Sequence, residues 1–268
     1  LSKTSPPNNP GLDLAAAVDL GSNSFRLLIC QAYITPSGMQ LRTIDTLREP
    51  VRLAAGLSPG KVLDEEAMER GLNAIRRFGE RLRGFKPEQV RAVATNTFRV
   101  ARNAQKFVQE AQIALGFPIE VIAGVEEARL IYIGTSHEAP AVSGNRLVID
   151  VGGGSSEFII GKGYEPKLLE SLYIGCVSHS IRFFPNGAID PHSFKEAELA
   201  ARREVQVIKG RFNKSGWNQV IGSSGTARAL ADLIADNKLN GSEEKGTLES
   251  LELVTSGIIT IHGLKALK

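Results

Sequence analysis

At 268 residues, 42% of them hydrophobic and 23% charged, the chain can bury a substantial core, and its length suits two domains better than one. Basic residues number 32 against 29 acidic ones, a formal charge of only +3 with no concentrated basic stripe, so no nucleic-acid polymer is expected as a partner. Cys30 and Cys176 lie far apart in apolar runs, which suits reduced thiols in a cytoplasm better than a disulfide framework or a metal site. No apolar run approaches the roughly 20 residues needed to span a membrane.

In chain order, residues 1–14 are expected to form a flexible tail, because Leu1 to Gly11 is rich in Pro, Asn and Ser and lacks the apolar stretch of a signal peptide. Ala15-Ala16-Ala17-Val18 then runs into Asp19-Leu20-Gly21-Ser22-Asn23-Ser24, followed by the apolar Phe25-Arg26-Leu27-Leu28-Ile29. Leu41 to Leu53 is strand-like. Asp64 opens a helix as its cap, with Leu63 and Met68 at hydrophobic-staple positions and Met68, Leu72, Ile75 and Leu82 on one face. A short strand over 90–95, a helix over 107–115, a strand over 119–122 and a helix over 126–135 follow.

The pattern then repeats. Leu147-Val148-Ile149 runs into Asp150-Val151-Gly152-Gly153-Gly154-Ser155-Ser156, followed by Glu157-Phe158-Ile159-Ile160. Each copy is strand, acidic residue, glycine-bearing turn, hydroxyl residue, strand, and the copies lie about one domain's length apart. The rest of the second half is a strand over 167–174, a helix opened by Asp190-Pro191, a strand over 219–221 and a helix over 226–234. Phe194, Ala197, Ala201, Val205, Ile208 and Phe212 recur at helical spacing on the longer of these helices. At the end, Leu264-Lys265-Ala266-Leu267 reads as the start of a helix that stops abruptly, so the second lobe is expected to be truncated at its C-terminus. The expected fold is α/β, a duplicated domain with a site between the copies: a first lobe over 15–140 and a second over 141–268.

Three turns carry the chemistry: the two above and Gly222-Ser223-Ser224-Gly225-Thr226. Singly they could be tight turns. Together, flanked by hydroxyls, they fit anion cradles of exposed backbone N–H groups. Asp19, Asp150 and Glu157 place hard oxygens beside them, which suits a magnesium ion shared with substrate phosphate, although each aspartate could equally cap its own turn. Glu126 and Glu127 open a helix, where either could serve the dipole or one could orient and deprotonate water. Arg99 is either a surface residue or a clamp for phosphate oxygens. His137, His179, His192 and His262 show no metal-ligand spacing.

Asp19-Leu20-Gly21-Ser22-Asn23-Ser24, Gly124-Val125-Glu126-Glu127-Ala128-Arg129-Leu130, Asp150 to Glu157 and Gly222 to Thr226 in combination resemble the exopolyphosphatase/guanosine pentaphosphate phosphohydrolase (Ppx/GppA) family, from about Ala15 to about Leu233. The resemblance implies two lobes of the actin/sugar-kinase/Hsp70 (ribonuclease H-like) type with a cleft between them, and release of terminal phosphate from inorganic polyphosphate with magnesium (or manganese). By matching motif positions, it implies Glu127 as general base and Glu157 with Asp150 at the metal and the water, joined by Asp19. Arg99 would contact the terminal phosphate. Phosphates would be held by Gly21, Ser22, Asn23 and Ser24, by Gly152, Gly153, Gly154 and Ser155, and by Gly222, Ser223, Gly225 and Thr226. Gly175-Cys176-Val177-Ser178 and Phe183-Phe184-Pro185-Asn186-Gly187 look more like the exopolyphosphatase branch than the branch that hydrolyses guanosine pentaphosphate (pppGpp). The expected partners are polyphosphate, with pppGpp or ppGpp as the alternative and a homodimer as the assembly; the expected location is the cytoplasm. A sugar or acetate kinase, an alarmone sensor and an actin-like assembly protein share the fold, but would leave the combination of Glu127, Asp150 and Glu157 without a purpose.

Overall fold

Ala16, Val18 and Leu20 are buried while Ala15, Ala17 and Asp19 are exposed, the period of two of a strand packed on one face. They belong to β1 (Leu14–Leu20) in a computed structural model that describes residues 14–35, 38–239 and 257–268. The expected tail therefore lies outside the described residues, except for Leu14. The chain divides into two compact units, Leu1–Val121 and Ile122–Lys268.

In the first unit, β2 (Ser24–Thr35) and β3 (Gly38–Pro50) extend β1 as an antiparallel meander, and β4 (Val90–Ala94) and β5 (Ile119–Val121) add in parallel, giving the order β3-β2-β1-β4-β5. α1 (Glu65–Arg81) begins where the Asp64 carboxylate accepts the Ala67 N–H at 2.6 Å, and its expected face of Met68, Leu72 and Ile75 is buried with Leu82. A short α2 (Asn96–Val100) follows β4, and α3 (Ala104–Leu115) packs beside α1. Phe25, Phe78, Phe98 and Phe107 fill one continuous core, Phe98 and Phe107 stacking at 5.4 Å.

The second unit repeats the plan. β6 (Asn145–Val151), β7 (Ser156–Lys162) and β8 (Glu165–Leu172) form the meander, and β9 (Gln219–Ser223) lies parallel to β6, in the order β8-β7-β6-β9. Around the sheet run α4 (Gly124–Glu138), α5 (Cys176–Phe183), α6 (Pro191–Ser215), α7 (Gly225–Asp236) and α8 (Ile261–Leu267). Asp190 caps α6 through the N–H groups of His192 and Ser193, with Pro191 at the first helical position.

Here both faces of the sheet are covered, so neighbouring residues Leu147-Val148 and Ile159-Ile160 are all buried. Leu147 and Ile160 pack with Ile208 and Phe212 of α6; Val148 and Ile159 pack with Ala128 and Tyr132 of α4. The division between units therefore falls before α4, earlier than the expected boundary at residue 140. The physical reason is the apolar underside of α4, which belongs to the β6–β8 sheet. Cys30 and Cys176 are free thiols. No helix among the described residues is long and apolar enough to cross a membrane.

Candidate active site

Register places the carboxylates. Asp150 on β6 stands opposite Glu157 on β7, Glu157 opposite Ser171 on β8, and Asp150 opposite Ser223 on β9. Side chains alternate along a strand, so Asp150 and Glu157 share the face of Val148 and Ile159, the face that α4 covers. Two carboxylates directly opposite each other repel and would be selected against in a purely structural sheet. α4 adds a third. Tyr132 donates its hydroxyl to the Gly163 carbonyl at 3.1 Å, and Ala128 and Tyr132 are fully buried, which fixes the helix on the sheet and brings the charge of Glu127 to bear on Glu157.

The consequence is an unusual acid. Glu157 is 1% exposed. Burial, then the negative charge of Glu127 and more weakly that of Asp150, push its pKa from the ordinary 4.5 up to about 8; hydrogen bonds from Ser171, at 2.8 Å, and from Ser155 oppose the shift. A carboxyl held this far from its normal range by specific neighbours is a candidate for a functional site. The same negative field that retains a proton attracts a divalent cation. Among the described residues no three or more His, Cys, Asp or Glu side chains form a ready-made metal cluster. Magnesium does not need one, since it commonly takes one or two protein carboxylates and completes its shell with water and substrate phosphate. The donor set Asp150, Glu157 and Glu127 fits that chemistry.

Gly152 to Ser155 form the turn between β6 and β7, closed by the Gly152 N–H on the Ser155 carbonyl at 2.9 Å. Ser155 is buried and turns its side chain to Glu157, so any phosphate contact it makes is through the backbone. The third turn is tied to this one: Thr226 donates its hydroxyl to the Val151 carbonyl at 2.8 Å. Ser224, which sequence reasoning passed over, caps α7 by accepting the Ala227 N–H and holds φ 142°, ψ 167°, a strained conformation that glycine normally occupies. Gly222, Ser223, Gly225 and Thr226 therefore border the same end of the second sheet as Asp150.

In the first unit, Asp19 lies at the matching strand end, but its cross-strand partner is Arg26 where Asp150 has Glu157. Gly21 to Ser24 surround the matching turn. Ser22 is buried, and its Oγ accepts both the N–H and the hydroxyl of Thr97, at 3.2 and 2.7 Å. Arg99 sits on the same short helix as Thr97, half-buried, rather than on an open loop. Thus the structure groups Asp19, Gly21–Ser24 and Arg99 in one unit, and Glu127, Asp150, Glu157 and the other two turns in the other. Glu126, by contrast, forms a forked ion pair with Arg129 at 2.7 and 2.8 Å, which leaves Glu127 as the glutamate of that pair that bears on Glu157. Ser171 and Thr97 carry no signal in the sequence, because only strand register and helix docking bring them to their partners.

The model of the Ppx/GppA phosphatase family matches residues 34–268. A Haemophilus influenzae protein named "Putative exopolyphosphatase" is 42% identical over 222 residues, 83% of this chain and 67% of that one. Among solved structures, an exopolyphosphatase from Cytophaga hutchinsonii superposes with a TM-score of 0.75 at 28% identity, covering 87% of this chain and 74% of the other. The PPX-GPPA enzyme of Aquifex aeolicus does so with 0.66 at 27%, covering 90% and 81%. A chain of the PilM-PilN type IV pilus biogenesis complex, 13% identical with a TM-score of 0.50 over 95% and 98% of the two chains, shares the fold alone. The chain belongs to the Ppx/GppA phosphatase family and is a phosphoric anhydride hydrolase on a duplicated α/β fold.

Proposed function

We propose that the chain hydrolyses the terminal phosphate of inorganic polyphosphate, with Glu127 as general base. The observation that carries the reading is the cluster of carboxylates beside a glycine turn: half-buried Asp150 opposite buried Glu157, with the charge of Glu127 raising the pKa of the latter. The exopolyphosphatase relatives support polyphosphate as the substrate.

In the proposed step a water oxygen attacks the terminal phosphorus, its proton passes to Glu127, and the bond to the bridging oxygen breaks, leaving the shortened chain and inorganic phosphate. The backbone of Gly152–Ser155 holds the phosphate, joined by Gly222, Ser223, Gly225 and Thr226. Asp150 and Glu157 would hold a magnesium ion, which supplies positive charge to the transferring phosphoryl group. In the first unit Asp19, the Gly21–Ser24 turn and Arg99 are proposed as further contacts of phosphate and metal.

Phosphate release from long-chain polyphosphate and from pppGpp, measured side by side with added magnesium, tests this. Polyphosphate is expected to be preferred, and Glu127→Gln to lower turnover at least about a hundredfold while leaving the fold intact. Preference for pppGpp would replace the substrate. Normal turnover by Glu127→Gln would remove the base.

A further inference from the structure

The glycine turn of the second unit is oriented from behind. None of the peptide bonds among the described residues is cis, so in each planar peptide group the C=O and the following N–H point in opposite directions. The Gly152 carbonyl accepts the Cys176 N–H at 2.9 Å, and the Gly153 carbonyl accepts the N–H groups of Val177 and Ser178, both at 3.0 Å. Both carbonyls therefore face the first turn of α5. The N–H groups of Gly153 and Gly154, which lie in the same two peptide planes, face away from it. Among the described residues, neither is taken up by a carbonyl in the turn and loop contacts.

The fit is tight. Gly175, just before α5, is extended at φ −128°, ψ 145°. Any Cβ on it would lie 2.3 Å from the Gly153 oxygen and 2.4 Å from the Gly154 Cα, both backbone atoms that cannot rotate aside. The segment before it is held by Ser156, whose hydroxyl donates to the Ile174 carbonyl. α5 gains as well, because its first N–H groups, which no helix can satisfy internally, find partners in the turn.

The turn of the first unit is also held through its carbonyls, one position further along. There the Arg52 N–H donates to the Asn23 carbonyl at 2.8 Å and the Ala54 N–H to the Ser22 carbonyl at 3.0 Å. Arg52 adopts the left-handed conformation, φ 48°, ψ 45°, to do so. In each unit the donors come from the segment that leaves the third strand of the meander, β3 or β8. The two turns have equal length, but the carbonyls held are the first and second of the turn in the second unit and the second and third in the first, so the support recurs while its register differs.

We propose that the first turn of α5, seated by Gly175, is the positioning element of the phosphate-binding turn: it fixes the carbonyls of Gly152 and Gly153 so that the N–H groups of Gly153 and Gly154 are presented to a substrate phosphate. This rests on the reading of Gly152–Ser155 as a phosphate site. Cys176→Pro isolates the effect. Proline suits the first helical position and the extended Gly175 suits the residue before a proline, so the helix survives while the one N–H donor is lost. Cys176→Ser changes the side chain and keeps the donor. Gly175→Ala pushes on the turn directly.

Steady-state kinetics on polyphosphate, with inorganic phosphate as a competing product, give the first readout. Cys176→Pro and Gly175→Ala are expected to raise KM and the phosphate inhibition constant at least about tenfold, the scale of one misplaced charge-assisted hydrogen bond. Cys176→Ser is expected to match the unsubstituted chain, and the melting temperatures of the two Cys176 variants to stay within a few degrees of it. A folded Cys176→Pro with unchanged KM and phosphate inhibition overturns the proposal. The second readout needs no variant: in amide NMR of the unsubstituted chain, inorganic phosphate is expected to shift Gly153 and Gly154 more than Cys176 and Val177. The reverse order, or no response at all four, also overturns it. Absence of polyphosphate hydrolysis with the expected amide shifts would instead remove polyphosphate as the substrate and leave the positioning role standing.

Discussion

Glu157 combines three features that rarely coincide in a structural residue: complete burial, a second carboxylate directly across the strand pair, and a third on the helix above. Its folded pKa of about 8 lies above the ordinary 4.5, so between those values the folded chain binds more proton than the unfolded one. The stabilisation is fully present below about 4.5 and is lost as pH rises through about 8. In metal-free buffer, Glu157→Gln is therefore expected to flatten that loss. Between pH 5.5 and 8.5 the urea unfolding free energy of the variant should fall less than that of the parent chain by at least about 1 kcal/mol, since one pKa unit corresponds to about 1.4 kcal/mol. Parallel pH profiles would mean that Glu157 ionises normally. Added magnesium should bring the parent chain toward the variant's profile, if the ion takes the place of the proton. That Glu157 stands beside Asp150 was legible from their closeness along the chain. Its burial and its link to Ser171 were not, because both depend on which strand becomes β8's neighbour.

α4 shows what periodicity can and cannot tell. The helix, its opening acidic pair and its rough limits follow from the residues, but the sheet it covers does not. Tyr132 decides that, and it does so with the help of a missing side chain. Gly161 lies beneath the ring, where a Cβ would approach the Tyr132 Cζ to 2.4 Å and the Glu165 carbonyl oxygen to 2.5 Å. Gly161→Ala must therefore lift α4 or bend the β7–β8 pair. It is expected to cost about 1–3 kcal/mol in stability, as overpacking does, and to lower kcat more than it raises KM, because α4 carries Glu127. Tyr132→Phe keeps the ring and loses the bond to the Gly163 carbonyl, so about 1 kcal/mol and little activity should be lost. Equal kinetic effects of the two variants would show that the height of α4 does not control the proposed base. α5 offers the opposite lesson. Its eight residues are too few for a clear period of 3.6, and its opening Gly175-Cys176-Val177-Ser178 carries no capping side chain, since the turn's carbonyls do that work.

On the scale of the whole chain the duplication was readable because an acidic residue and a glycine turn recur between apolar strands, and the registers make the match explicit: Asp19 lies opposite Arg26 where Asp150 lies opposite Glu157. The same two registers show how the copies diverged in charge, a carboxylate pair in one and a mixed pair in the other. The cores diverged too. The first unit has one continuous core on one face of its sheet, whereas the second divides its apolar residues between two faces. Separate cores predict separable unfolding. Trp217, the sole tryptophan of the sequence, lies in the second unit and reports on it alone, while far-UV circular dichroism reports on both. Phe78→Ala empties a fully buried site in the first core and should cost about 3–5 kcal/mol there; Ile160→Ala should cost about 2–5 kcal/mol in the second. Phe78→Ala is thus expected to move an early part of the dichroism transition and leave the Trp217 fluorescence midpoint in place, and Ile160→Ala to move the fluorescence midpoint. If both variants shift both signals equally, the units unfold as one cooperative body.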